Sequence, residues 1–167
     1  LFNILSIWPG MKFSMEEISN GRFLYSLFYY LMKTNQIHRA KKFTDKYADF
    51  IKGSKDHWEL SPLAYFYKKI GEIKKSIEVY KKADKIQKEL ECGGYFYLDK
   101  LAENYIMLED YESANKAIEE YYKVYNKQTE WADGSKSQHG LQLKGREIII
   151  DIKKGDIESA YVAIHEI

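Results

Sequence analysis

The chain has 167 residues, room for one domain with a continuous core or for about four or five stacked helical hairpins. Hydrophobic residues make up 45% and the mean hydropathy is −0.53, which permits a folded core and argues against a membrane protein. Twenty-six Lys plus Arg against 25 Asp plus Glu leave a formal charge of +1, so the concentrated basic face of a nucleic-acid binder is not expected.

Residues 1–20 read as a lead-in. The opening LFNILSIWPG is apolar but too short to span a bilayer, and it lacks the basic start and cleavage site of a secretory signal. A short helical turn is expected near Met15 and Ser19. Residues 21–33 carry Phe23, Leu24, Leu27, Phe28, Tyr30 and Leu31 at three- and four-residue spacing, as a buried helix face requires. Thr34-Asn35-Gln36 interrupts them, and residues 37–51 return as a second helix with Ala40, Phe43, Tyr47 and Phe50 on one face. Two helices and a short turn make an antiparallel hairpin.

A polar connector at 52–56 follows. Ser61-Pro62 predicts a helix start, with Ser as cap and Pro in the first turn. Gly71 ends that helix, residues 73–90 supply its partner, and Cys92-Gly93-Gly94 breaks the chain again. Helices near 95–108 and 111–127 make a third hairpin. Residues 128–140 are the one long irregular stretch and read as an inter-repeat loop. A helix over 141–153, the turn Lys154-Gly155-Asp156 and a helix over 157–167 complete a fourth hairpin. Ile148-Ile149-Ile150 is β-branched, but its flanking periodicity and the following turn favour helix over strand. The expected organisation is therefore a repeat domain over 21–167, with hairpins at about 21–51, 57–90, 95–127 and 141–167. Because the chain opens on Leu1 and stops at Ile167 inside an amphipathic pattern, it is expected to be a piece of a longer polypeptide.

A phrase recurs through these hairpins. Its clearest copy is Leu98, Leu101, Ala102, Tyr105, the turn Glu109-Asp110-Tyr111, then Ala114, Ile118 and Tyr121; a second is Leu60, Leu63, Ala64, Tyr67, Gly71-Glu72-Ile73, Ser76, Tyr80 and Ala83. Ala40, Ser76, Ala114 and Ala160 occupy a common small position and lie 36, 38 and 46 positions apart. Helices in a hairpin approach closely only where a side chain is small. With Ala64 and Ala102 as first small positions and the Gly155-Asp156-Ile157 turn, these residues resemble the tetratricopeptide repeat family, whose period is near 34. The resemblance covers nearly all of 21–167. Phe28 departs from it where a small residue is expected, and Gly145 lies too far from its turn. It implies an all-α, right-handed solenoid (an alpha-alpha superhelix) of about four antiparallel hairpins, acting as a scaffold for protein or peptide binding.

In such solenoids the first helix of each hairpin lines the concave side. The corresponding face holds Arg22, Tyr25, Tyr29 and Lys33; then Trp58, Tyr65, Lys68 and Lys69; then Phe96, Asp99 and Glu103. Aromatics beside Lys and Arg suit an extended peptide, supplying contact area and charge. The alternative for each aromatic is gap-filling between hairpins. Family members that clamp a terminal carboxylate carry paired Asn and Lys or Arg at positions held here by Tyr25, Tyr29, Ser61 and Tyr65, so that clamp is not expected. The Tyr- and Lys-rich repeats are also similar to peptide-sensing regulators that control an attached output domain. A structural spacer or dimerisation domain, forming a homo-oligomer, is a further alternative.

No catalytic constellation stands out. His38, His57, His139 and His165 lie on different segments without ligand-spaced partners, and Glu16-Glu17 and Glu119-Glu120 are ordinary exposed pairs. No phosphate-cradling glycine loop or serine elbow occurs. Cys92 stands alone, which excludes an intramolecular disulfide and a cysteine-based zinc site and fits a reducing, cytoplasmic compartment. The expectation is a non-enzymatic module without cofactor or metal, with a protein or peptide partner, no nucleic acid bound by this segment and no membrane insertion.

Overall fold

The computed structural model describes residues 21–51, 53–90, 96–127 and 135–165, and among these it contains eight α-helices and no strand. They are α1 (Gly21–Lys33), α2 (Ile37–Phe50), α3 (His57–Lys69), α4 (Ile73–Glu89), α5 (Phe96–Met107), α6 (Tyr111–Lys127), α7 (Ser135–Lys154) and α8 (Ile157–His165). The lead-in at 1–20 and the Cys92-Gly93-Gly94 break lie outside the described residues.

One turn is used four times. Asn35, Gly71, Glu109 and Gly155 all take a left-handed backbone, with φ of 56°, 85°, 61° and 82°. At each, two N–H groups reach back to carbonyls of the ending helix: Gln36 to Leu31, Glu72 to Tyr67, Asp110 to Tyr105 and Asp156 to Asp151 make the longer bond, at 2.8–3.0 Å. This is the Schellman ending, which satisfies orphan carbonyls by left-handed reversal of the chain. The next residue opens the second helix, its carbonyl accepting from Ala40, Ser76, Ala114 or Ala160 respectively. Asp110 and Asp156 also cap with their side chains, accepting from the Ser113 and Ser159 N–H groups at 3.1 Å.

The small residues fall where helices meet. Ala40, Ser76, Ala114 and Ala160 are all buried, as are Ala64 and Ala102 on the facing first helices. The Ser76 hydroxyl donates to the Ala64 carbonyl at 2.7 Å, tying α4 to α3 inside the apolar seam.

Two compact units divide at residue 90. In the first, α1 packs on α2, α3 on α4, and α3 also meets both α1 and α2. Its aromatic centre is Phe28 stacked on Phe66 (4.3 Å between ring centroids), with Phe43 5.5 Å from Phe66. In the second, α5 packs on α6, α7 on α8, and α7 also meets both α5 and α6. Leu98, Leu101, Ile118, Tyr121, Leu143 and Ile150 are buried there.

Two local expectations are corrected. Helix α3 starts at His57, not at Ser61-Pro62: the Asp56 carboxylate accepts from the Trp58 N–H at 2.8 Å and caps the helix five residues earlier. Pro62 then sits inside α3, where its missing N–H leaves the Trp58 carbonyl without its usual donor. The Tyr47 hydroxyl donates to the neighbouring Glu59 carbonyl at 3.0 Å and anchors α2 to this stretch. The loop expected over 128–140 does not extend to 140: α7 begins at Ser135 and carries His139, whose Nδ1 lies 3.0 Å from the Tyr121 hydroxyl, while residues 128–134 lie outside the described residues. Gly140 sits on the same turn of α7, and a Cβ there would lie 3.1 Å from the Tyr125 hydroxyl, so Gly allows that close approach.

Candidate functional site

The repeated turn gives every first helix a common origin. Counting back from Asn35, Gly71, Glu109 and Gly155, the thirteenth, tenth, sixth and second residues share one stripe of the helix, being three or four apart. On α1 they are Arg22, Tyr25, Tyr29 and Lys33, and on α3 Trp58, Ser61, Tyr65 and Lys69. On α5 they are Phe96, Asp99, Glu103 and Met107, and on α7 Gln142, Gly145, Ile149 and Lys153. The seventh residue back faces inward: Phe28, Ala64, Ala102 and Ile148 are all buried. Phe28 thus occupies the position that Ala64 and Ala102 take on α3 and α5, and its ring stacks on Phe66 of α3.

In the first unit, α1 and α3 are neighbours and their stripes join. The Tyr25 ring lies 5.2 Å from Tyr65 and 5.5 Å from Phe66. Burial pushes the Tyr25 hydroxyl above its ordinary pKa, an effect partly offset by its hydrogen bond to Ser61. Tyr25 and the half-buried Tyr65 therefore form a floor continuous with the core. Tyr25 remains 37% exposed, and Tyr29 and Trp58, on the same two stripes, are 57% and 68% exposed. Lys33 sits 5.3 Å over the Tyr29 ring and Lys69 5.4 Å over Tyr65, a cation–π pair at the same register in both hairpins. Lys68 lies one residue off the stripe and is half-buried. Arg22 lies on the first turn of α1, with its side chain outside the described residues.

The second unit uses the same stripe differently. Asp99 is buried, and its carboxylate accepts from Lys100 Nζ at 2.9 Å and Arg146 Nε at 3.1 Å. Arg146 Nη2 also lies 3.5 Å from Glu103. Desolvation pushes the Asp99 carboxyl up, but the hydrogen bonds and charges of Arg146 and Lys100 outweigh it and hold the carboxyl below its usual pKa. Asp99 and Glu103 thus hold α7 against α5. Phe96 is exposed, with Lys100 5.5 Å over its ring. Arg146 escaped the sequence reading; the signal available was the acidic pair four residues apart, which suits a shared cation. Which helix would supply that cation depends on α7 packing on α5.

A groove of about 320 Å³ lies in this unit among Ile118, Glu119, Glu147, Asp151 and Ala163. Tyr122 donates to Glu147 at 3.3 Å, and its hydroxyl is pushed up to about 12 by burial and then by the Glu147 charge. Among the described residues, no group of three His, Cys, Asp or Glu could hold a metal ion, and no helix is long and apolar enough to cross a membrane. Compared with protein-family models, curated proteins and solved structures, the chain matches none.

Proposed function

We propose that the chain is a non-catalytic binding module whose units are each built from two tetratricopeptide-like hairpins, and that a protein or peptide segment docks on the joined stripes of α1 and α3. The observation that carries this reading is the aromatic floor of Tyr25 and Tyr65 with Tyr29 and Trp58 exposed beside it. Exposed aromatics over a rigid packed floor offer contact area at small entropic cost, the usual composition of a binding hot spot. The four identical turns and the buried small residue after each support the repeat class. The test is selection of peptides from a random display library on the immobilised chain. Tyr29→Ala with Tyr65→Ala should reduce binding of selected peptides at least tenfold with the far-ultraviolet circular dichroism unchanged. Undiminished binding removes the assignment.

A second reading, a dimerisation domain, is favoured by α8. Its first, fifth and eighth residues, Ile157, Tyr161 and Ile164, are 61%, 64% and 52% exposed, whereas the same positions of α4, Ile73, Ile77 and Tyr80, are buried. Light scattering should find a dimer that Tyr161→Glu dissociates; a monomer at 100-fold varied concentration, on the order of 1–100 µM, refutes it.

A further inference from the structure

We propose that the segment docking on α1 and α3 is acidic, presenting two carboxylates three residues apart to Lys33 and Lys69 and an apolar side chain to Tyr29 and Tyr65. This rests on the docking reading above and specifies its partner. Lys33 and Lys69 are exposed and occupy the same place in consecutive hairpins, each ammonium held over the Tyr ring four residues earlier. A ring beneath the ammonium restricts a side chain that would otherwise lose much rotamer entropy on binding.

Their charge is also available. Two other aromatic-seated lysines have a carboxylate nearby: Lys75, over Tyr67, lies 3.8 Å from Glu72, and Lys100, over Phe96, lies 2.9 Å from Asp99, whereas Lys154, over Tyr111 in the second unit, has none within ion-pair distance among the described residues. Among the described residues, Lys33 and Lys69 have no carboxylate within ion-pair distance. The same stripe in the second unit carries Asp99 and Glu103, already committed to Arg146. A ligand complementary to the first unit is therefore negative.

Spacing follows from helix geometry. Packed helices lie about 8–10 Å apart, and an extended polyproline II segment repeats its face every three residues, roughly 9 Å along its axis. Carboxylates at positions i and i+3 match two lysines on adjacent helices.

The experiment is fluorescence anisotropy on the full chain with three labelled peptides: one of Pro-Glu-Leu triplets, and two in which every Glu is replaced by Gln or by Lys. The Glu peptide should bind at least tenfold tighter than either control, and more weakly as salt rises. Lys33→Gln with Lys69→Gln should abolish the preference for Glu over Gln, while Tyr29→Ala with Tyr65→Ala should weaken both peptides. Equal binding of the Glu and Gln peptides, lost in the Tyr variant, overturns the acidic inference and leaves the docking reading standing. Acid-selective binding that survives both double variants overturns the assignment to this face. Failure of all three peptides overturns the acidic inference, and the display selection then decides the docking reading by itself.

Discussion

Glu109→Gly should stabilise the protein, although it deletes a side chain and adds a glycine. Glu109 stands at φ 61° in the turn between α5 and α6, at the place that Gly71 and Gly155 take in theirs. For an L-residue the left-handed conformation costs about 1–2 kcal/mol. Replacement by Gly recovers that cost and gives back about 0.4–1 kcal/mol through the freer unfolded chain, leaving a gain of about 1 kcal/mol. Glu109 is exposed, so its removal opens no cavity. The reciprocal change calibrates the sign: a Cβ on Gly71 would meet nothing within 4 Å, so Gly71→Ala should cost about 1 kcal/mol through backbone conformation alone. For a chain of this size each change moves the midpoint by about 2–4 °C. Thermal and urea unfolding followed at 222 nm read both. If Glu109→Gly lowers stability, or Gly71→Ala leaves it unchanged, the shared left-handed turn is refuted.

Three further outcomes are expected. Gly145 lies inside α7 with open space around its missing Cβ, so Gly145→Ala should stabilise by about 1 kcal/mol in the same melts, whereas Gly140→Ala should gain less because of the Tyr125 hydroxyl. Ser76→Ala should cost about 1 kcal/mol by removing the hydrogen bond to Ala64, measured by urea midpoint. The Asp99 carboxyl is held below its unfolded value, so its contribution is fully present above the unfolded carboxylate pKa and disappears as pH falls through the folded one. Asp99→Asn should thus cost about 2 kcal/mol at pH 7, between an exposed and a buried ion pair, and the deficit should vanish on acidification towards pH 2. A deficit independent of pH would assign the effect to packing.

The hairpins were legible because their signals are local. Apolar spacing, turn residues and the small positions Ala40, Ser76, Ala114 and Ala160 depend on neighbours within a few residues along the chain, and the structure places all four small residues in buried seams. Of the two corrected boundaries, one turns on a local choice and the other goes with a distant contact. Asp56 and Ser61 are both acceptable caps, and the choice of Asp56 extends α3 so that His57 and Leu60 are also buried. The start of α7 at Ser135 is joined by the His139–Tyr121 contact, which links residues 18 apart.

What the sequence by itself determined is the all-helical character, the four reversals and a stripe on the first helix of the first three hairpins, since helical period and turn chemistry fix these without distant contacts. What only the tertiary structure decided is what each stripe does. Tyr25 and Tyr65 became a floor because α3 packs on α1, while Asp99 and Glu103 became a tie because α7 brings Arg146 to α5. A residue's position on a helix is set by its own segment, but whether it meets solvent, a ring or a charge is set by the helix beside it.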